Sequence, residues 1–483
     1  MSDKIAIKLV FSAESVRIKL LAILEDGKMT KNKWFGTDGV RGVANVFPMT
    51  ADFAMRLGMA AGVQVCVAKR RVAIAKDTRI SGDMLEAGLI AGFTSQGVDV
   101  VRLGVIPTPA VTTLVSGLDV DMAVMITASH NPYQDNGIKL IAADGAKFSD
   151  EITAELEKLV EKNEFTFDCG KIGRVSDDFT QAEKYKKIAL AAAAPKALSG
   201  MKMVIDCANG CFSDILPEVF ASLGAEVIAM GCNPDGVNIN RDCGSQHTEA
   251  MCAKVVEAGA ALGVAVDGDG DRIIICDEKG QRLDGDQIIA YLGQYFHASG
   301  RLKNNTVVAT IVSNPALDRF LAGLGVRCVR SNVGERYVIE EMIKNGANIG
   351  GEESGHMVVA DYSKTGDAMM AALVVAMGIR ESGRKASEIF PLFAAMPRKR
   401  IDSKFAAKDQ MQEAFENAEF KNAIKQGELK LGERGKVLIR KSGTEPKVQV
   451  WVWSDDETLA EEIAGEISAV LQKCPGFEGY KRV

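Results

Sequence analysis

The chain has 483 residues, of which 47% are hydrophobic and 25% charged, with a formal net charge of −6. That composition suits a globular protein with a large core, long enough for three or four domains at ~100–200 residues each. The acidic balance lacks the basic stripe of a general nucleic-acid binder, and no apolar run approaches the ~18 residues a membrane span needs, so neither nucleic acid nor membrane is an expected partner. The ten cysteines contain no CxxC and no metal-site pairing, and they read as reduced thiols of a cytoplasmic protein. Residues 5–11 are too short and too flanked by charge for a signal peptide, and Met29-Thr-Lys-Asn-Lys-Trp34 looks like a natural start. Residues 1–30 are therefore expected to be an extension.

In chain order, residues 34–42 form a polar, glycine-rich loop carrying Arg41. Helical periodicity covers 51–68, a buried strand 71–75, a helix 84–96 and a strand 98–103; Pro107 opens another helix, and 122–126 is a strand. Residues 151–162 are a charged helix, and the polar stretch 168–178 is a candidate boundary. The same grammar returns with strands at 202–205, 226–230 and 262–266 and a helix at 249–258. It returns again from Gly285, with helices at 286–297, 315–324 and 367–379 and strands at 306–310 and 327–330. Strands alternating with helices of this length mean βαβ units. The last block differs: 436–440 and 447–453 alternate like antiparallel neighbours, and 456–473 is an amphipathic helix. The expected fold class is α/β: three consecutive α/β domains (31–175, 176–283, 284–392) with mixed, largely parallel sheets, plus a C-terminal α+β domain (393–483), around a central cleft.

Four loops carry chemistry. The strand 122–126 stops at Thr127-Ala-Ser-His-Asn-Pro132, where Asn131-Pro132 forces a turn and Ser129 is left exposed to reaction on a rigid scaffold. The same residues also make a plain turn. Asp267, Asp269 and Asp271 place three carboxylates two residues apart with glycine between. Such charges repel unless a cation lies among them, and oxygen-only ligation suits Mg²⁺ or Ca²⁺. An EF-hand begins with this spacing, but its sixth position requires glycine and is Arg272 here. Arg440-Lys-Ser-Gly-Thr444 gathers cations, hydroxyls and a permissive glycine fit for a phosphate, or equally forms a hairpin turn with solvated charges. Glu352, Glu353, Ser354 and His356 suit sugar hydroxyls, or a helix start capped by Ser354. Arg41 and Lys139, beside glycine-rich turns, would ordinarily be solvated surface charges.

Thr127-Ala-Ser-His-Asn-Pro132, Asp267-Gly-Asp-Gly-Asp-Arg272, Gly351-Glu-Glu-Ser-Gly-His356 and Arg440-Lys-Ser-Gly-Thr-Glu-Pro446, in that order, resemble the four signatures of the α-D-phosphohexomutases. The resemblance runs from about residue 33 to the C-terminus. Phe35-Gly-Thr-Asp-Gly-Val-Arg-Gly42, Lys76-Asp-Thr-Arg-Ile-Ser-Gly82, Asp206-Cys-Ala-Asn-Gly210, Gly236-Val-Asn-Ile-Asn240 and Gly334-Glu-Arg-Tyr-Val338 are similar to the bacterial phosphoglucosamine mutase branch. That branch interconverts glucosamine 6-phosphate and glucosamine 1-phosphate, through a phosphoserine enzyme and a 1,6-bisphosphate, on the route to UDP-N-acetylglucosamine. Phosphomannomutase/phosphoglucomutase activity is the alternative.

The resemblance implies roles. Ser129 would be the phosphoserine, its phosphate completing the shell of one Mg²⁺ held by Asp267, Asp269 and Asp271, with Arg272 beside it. Arg41, Lys139 and His130 would be catalytic, with Arg41 and Lys139 assisting proton transfer and steadying the moving phosphoryl group. Glu352 and Ser354 would grip sugar hydroxyls, with His356 nearby, and Arg440, Ser442, Gly443 and Thr444 would hold the phosphate that is not reacting. Glucose or glucosamine 1,6-bisphosphate would prime the enzyme, a hexosamine phosphate would be its small-molecule partner, and a homodimer is left open. The fourth domain would swing to open and close the cleft. Two positions depart from the pattern: Gln449 stands where relatives often carry arginine, and Asn332 where some carry lysine. Two other readings compete. A phosphoserine phosphatase would usually recruit several histidines, and the chain has four; a sugar-phosphate binding protein would not need an intact nucleophile.

Overall fold

The computed structural model describes residues 32–36, 38–442 and 445–482. The expected extension 1–30 and the two candidate phosphate ligands Gly443 and Thr444 lie outside them. Four sheets follow one another along the chain. The first is built from β1 (Phe35–Gly36), β2 (Gly39–Val43), β3 (Arg71–Lys76), β4 (Asp99–Val105), β5 (Met122–Ile126), β6 (Asp135–Ala142) and β7 (Val175–Asp177), in the order β1-β2-β6-β5-β3-β4-β7. Its middle is parallel, whereas β6, β2 and β1 run antiparallel. Strand β5, Met-Ala-Val-Met-Ile, is buried at every position, because helices cover both faces of the sheet.

The second sheet uses β8 (Lys202–Asp206), β9 (Glu226–Met230), β10 (Leu262–Val266), β11 (Ile273–Asp277) and β12 (Arg282–Leu283), and the third β13 (Thr306–Thr310), β14 (Arg327–Ser331), β15 (Ile349–Gly351) and β16 (Met357–Val359). Both have parallel centres and an antiparallel edge. The fourth, β17 (Arg398–Phe405), β18 (Gly435–Lys441), β19 (Lys447–Ser454) and β20 (Phe477–Arg482), is antiparallel throughout. The fold class expected from the sequence is thus the one observed.

Three local expectations are corrected. Within residues 34–42, Phe35 pairs with Val40 and Gly36 with Gly39 as β1 and β2, where an open loop was expected. Lys139 stands within β6, not beside a surface turn. The boundary stretch 168–178 contains β7, which extends the first sheet next to β4, so a cut at 175/176 passes through a strand. In the fourth block β17, the helices Lys408–Glu416 and Ala418–Leu431, and β20 are additions to the expected elements.

One continuous apolar core runs through the first three units, from Ala73 to Phe390, whereas the fourth has its own, drawn only from residues between Ile401 and Cys474. No described helix is long and apolar enough to cross a membrane. Ser129 follows β5, Asp267 follows β10 and Glu352 follows β15, so all three loops leave the carboxyl ends of sheet strands, where ligands bind in open α/β sheets.

Candidate active site

Three adjacent strands of the first sheet aim its functional groups at one spot. Arg41 pairs across β2–β6 with Gly137, Lys139 pairs across β6–β5 with Met125, and the Ser129 turn continues β5. Ser129 is buried and has a left-handed backbone, φ 53°. Its Oγ donates to Asp267 Oδ2 at 2.6 Å and lies 3.3 Å from His130 Nδ1. The nucleophile candidate of one sheet and the acidic loop of the next therefore meet directly.

The carboxylates of Asp267, Asp269 and Asp271 are buried, and their ligand atoms lie within 4.8 Å of one another. Burial, then Asp271 and Asp269, pushes Asp267 well above the usual carboxylate range. Asp271, which burial alone would raise, is held at about 2 by Lys139, His356 and Arg272. Lys139 Nζ reaches Asp269 Oδ2 at 2.8 Å and Asp271 Oδ2 at 3.2 Å, and Thr108 Oγ1 donates to Asp269 Oδ2 at 2.5 Å. Even so, Asp269 Oδ1 and Asp271 Oδ1 are buried without a hydrogen-bond partner. Buried anionic oxygens left over after one lysine and one hydroxyl have been spent fit a divalent cation, and an all-carboxylate donor set suits a hard one.

The cations around Ser129 stay charged. Burial opposes the charge on Lys139, but Asp269, Asp38 and Asp271 raise it well above the ordinary lysine value; at Arg41 burial is likewise outweighed by Asp38, Asp269 and Asp271 together. Asp38 bridges Arg41 Nη2 at 2.5 Å, Lys139 at 3.1 Å and Lys147 at 2.6 Å. His130 is opposite in character: burial, Arg272 and Arg41 push it down to about 4, so it is a neutral imidazole at neutral pH.

The candidate sugar loop turns between β15 and β16, so Ser354 caps no helix; it is exposed at the turn. Glu352 is buried and accepts from Gly334 N at 2.9 Å. This loop is stapled to the acidic one, because Ile273 N donates to Gly355 O at 2.9 Å and Arg272 bridges His356 strand-to-strand. A side chain at Gly355, with φ 94°, would strike Ile273 O. His356 lies 3.3 Å from Glu335, and burial, which would lower it, is overridden by Glu335, Asp271 and Glu352, lifting it to about 9.

The candidate phosphate loop joins β18 to β19. Arg440 is half-buried, and burial and its neighbour Arg400 hold it below the usual guanidinium range, with Glu352 pulling the other way. Ser442 N donates to Lys447 O at 2.9 Å. Gln449 is buried and donates to Asp402 at 3.4 Å. Arg398 Nη1 crosses from β17 to Glu353 at 2.8 Å, so the fourth unit touches the sugar loop.

Several participants went unnoticed as such in the sequence. Asp38 and Glu335 sit inside segments quoted for their resemblance, yet nothing local marks them as ion partners. Thr108 and Lys147 carry no sequence signal at all.

The phosphoglucomutase/phosphomannomutase family matches this chain in all four parts: alpha/beta/alpha domain I over residues 32–167, domain II over 180–280, domain III over 284–396 and the C-terminal domain over 398–470. A phosphoglucosamine mutase of Paramagnetospirillum magneticum is 46% identical over 453 residues, which are 92% of this chain and 99% of that one. A solved phosphoglucomutase/phosphomannomutase family protein of Burkholderia thailandensis has the same fold, with a TM-score of 0.76 at 22% identity over 92% of this chain and 98% of its own. The N-acetylphosphoglucosamine mutase of Aspergillus fumigatus, solved with GlcNAc-6P and magnesium, follows at a TM-score of 0.62 and 16% identity, over 94% and 98% of the two chains. The chain belongs to the phosphoglucomutase/phosphomannomutase family, in its phosphoglucosamine mutase group.

Proposed function

We propose that this chain converts glucosamine 6-phosphate reversibly into glucosamine 1-phosphate through a phosphorylated Ser129 and a 1,6-bisphosphate. The observation that carries the reading is the 2.6 Å contact of Ser129 Oγ with Asp267, which joins the only two loops the chemistry cannot do without. In the first half-reaction the Oγ–P bond of phospho-Ser129 breaks and phosphorus bonds to the C1 hydroxyl oxygen of the sugar. The bisphosphate turns end over end. Its C6 oxygen then leaves as the phosphoryl group returns to Ser129 Oγ, giving the 1-phosphate.

Such a transfer asks the protein for position and charge more than for covalent work. Asp267, Asp269, Asp271 and a phosphate oxygen on Ser129 would hold one Mg²⁺, which would supply charge neutralisation. Arg41 and Lys139, both kept protonated, steady the phosphoryl oxygens. His130, a neutral imidazole 3.3 Å from Ser129 Oγ, takes and returns the hydroxyl proton. Glu352, Ser354 and His356 hold sugar hydroxyls, and Arg272 attends the reacting phosphate. Arg440 and Ser442, with Gly443 and Thr444, cradle the resting phosphate. We place the chain in the cytoplasm, where its ten free thiols stay reduced. We propose the same domain division with the first boundary moved past Asp177, the last residue of β7.

The deciding assay supplies purified protein, Mg²⁺ and a trace of glucose 1,6-bisphosphate with each hexose phosphate in turn. Faster turnover of glucosamine 6-phosphate than of mannose or glucose phosphates is expected. Preference for the latter would make the protein a phosphomannomutase/phosphoglucomutase, and free phosphate outpacing isomer would make it a phosphatase.

A further inference from the structure

We infer that Arg79 and Asn240 are positioning residues that close on the Ser129 turn from two domains and set its hydroxyl against the aspartate triad. The inference rests on the function proposed above. Ser129 adopts φ 53°, a conformation that a residue with a Cβ keeps only when its surroundings hold it there. The turn after it also presents the carbonyl groups of Ser129, Asn131 and Pro132, and of Asp135 at the start of β6, on one side; Ser129 O is buried, and such carbonyls require donors.

Arg79 supplies them. Its side chain is fully buried, and all five guanidinium N–H groups are used. Nη2 donates to Ser129 O at 2.9 Å and Asn131 O at 2.8 Å, Nη1 to Pro132 O and to Asp135 O at 3.1 Å, and Nε to Asp77 Oδ2 at 2.9 Å. Asp77 balances the charge and accepts Thr127 Oγ1 at 2.7 Å; that same Oγ1 accepts Ser129 N at 3.0 Å. The amide and carbonyl of Ser129 are thereby both tied to one buried ion pair.

Asn240 completes the grip from the second domain. Its Nδ2 donates to Ser129 O at 2.8 Å and Asn131 O at 3.0 Å. A Cβ added to Gly268, inside the acidic loop, would lie 3.0 Å from that nitrogen. Asn240 thus sits between the acidic loop and the Ser129 turn and gauges their separation. The Arg79 segment is docked on the same side, through Thr78 Oγ1 to Asn209 O at 2.6 Å and Ile80 N to Gly236 O at 2.9 Å. Neither side chain touches the reacting atoms. Both act by holding Ser129, and a misplacement near 1 Å is enough to cost about a hundredfold in rate.

The test uses full-length Arg79→Lys and Asn240→Ala. Lysine keeps the charge and loses the fork; alanine removes one bridging amide. Each is compared with wild type in thermal unfolding with and without Mg²⁺, in Ser129 phosphorylation by glucose 1,6-bisphosphate read by intact mass, and in kcat and KM for glucosamine 6-phosphate. We expect folded variants that still answer to Mg²⁺, KM within about threefold, kcat down about a hundredfold for Arg79→Lys and about tenfold for Asn240→Ala, and slower Ser129 phosphorylation in both. If Arg79→Lys does not fold, Asn240→Ala decides. Unchanged kcat and phosphorylation rate in a folded Asn240→Ala overturns the inference, as does a loss that merely tracks unfolding. A wild type that ignores glucosamine 6-phosphate sinks the function instead, and the phosphorylation rates still judge the clamp.

Discussion

Replacing Glu335 with glutamine removes a charge without changing shape, at a point where two domains share one buried ion cluster. Glu335 pairs with Lys147 Nζ at 2.5 Å and His356 Nε2 at 3.3 Å, and it accepts from Thr365 Oγ1 and from Gly366 N at 3.1 Å. Burial alone would push His356 down, yet Glu335 leads the carboxylates that lift it to about 9. A histidine raised above its ordinary 6.5 stabilises the fold fully below that pH and loses the contribution as pH climbs through 9. At ~1.4 kcal/mol per pH unit, the lift is worth about 3 kcal/mol. In Glu335→Gln, burial is opposed only by Asp271 and Glu352, so the imidazole should titrate at or below 6.5. Wild type then keeps an imidazolium beside the sugar loop through neutrality, and the variant sheds it. The assay is kcat/KM for glucosamine 6-phosphate and the unfolding temperature, each from about pH 6 to about pH 9. Wild-type stability should decline only near the alkaline end. The variant should be less stable at every pH below that, lack the alkaline decline, and show a fall in kcat/KM across neutrality approaching tenfold per pH unit. Superimposable pH profiles for the two proteins would refute the assignment of Glu335 as the group that keeps His356 charged.

Four further outcomes are expected. Ser129→Ala should lose at least about three orders of magnitude in kcat and all phosphoprotein by intact mass, while unfolding at nearly the wild-type temperature. Mg²⁺ at about a hundredfold over its Kd should stabilise the chelated protein by about 2.7 kcal/mol in calorimetry. Because Asp267 is raised by burial and its neighbours and must lose its proton to ligate, that stabilisation should shrink as pH falls, and Gly210→Ala should weaken it at every pH, since a Cβ there would meet Gly268 O at 2.3 Å and displace the acidic loop. Arg440→Ala should raise KM for glucosamine 6-phosphate by roughly 10–100-fold with a smaller change in kcat, as loss of a charge-assisted bond to a phosphate that does not react requires.

The parts of this molecule that were legible in the sequence are those whose signal is local. A fully apolar strand running into the Ser129 turn, three aspartates spaced by glycine, and periodic helices such as Pro315–Gly323 announce themselves within ten residues. Strand β6 does not, because Asn136-Gly137 looks like a turn. The glycine is there for another reason: β6 runs so close to its neighbours that a Cβ would meet Thr127 O at 2.5 Å and Val40 O at 2.9 Å. Strand β17 hides differently, since Arg400, Asp402 and Lys404 interleave with Ile401, Ser403 and Phe405 and dilute its apolar face below notice. The electrostatics were the least legible of all. Lys139 has the look of a solvated charge, yet it is 5% exposed and bound to carboxylates at Asp269 and Asp271, and Lys147 finds Glu335 across a domain boundary. What a charged side chain does is decided by what the fold places beside it, and those neighbours come from more than a hundred residues away. The motifs could therefore name the reacting groups, but the residues that hold those groups in register, Arg79, Asn240, Asp38 and Glu335, become visible only when the sheets are assembled.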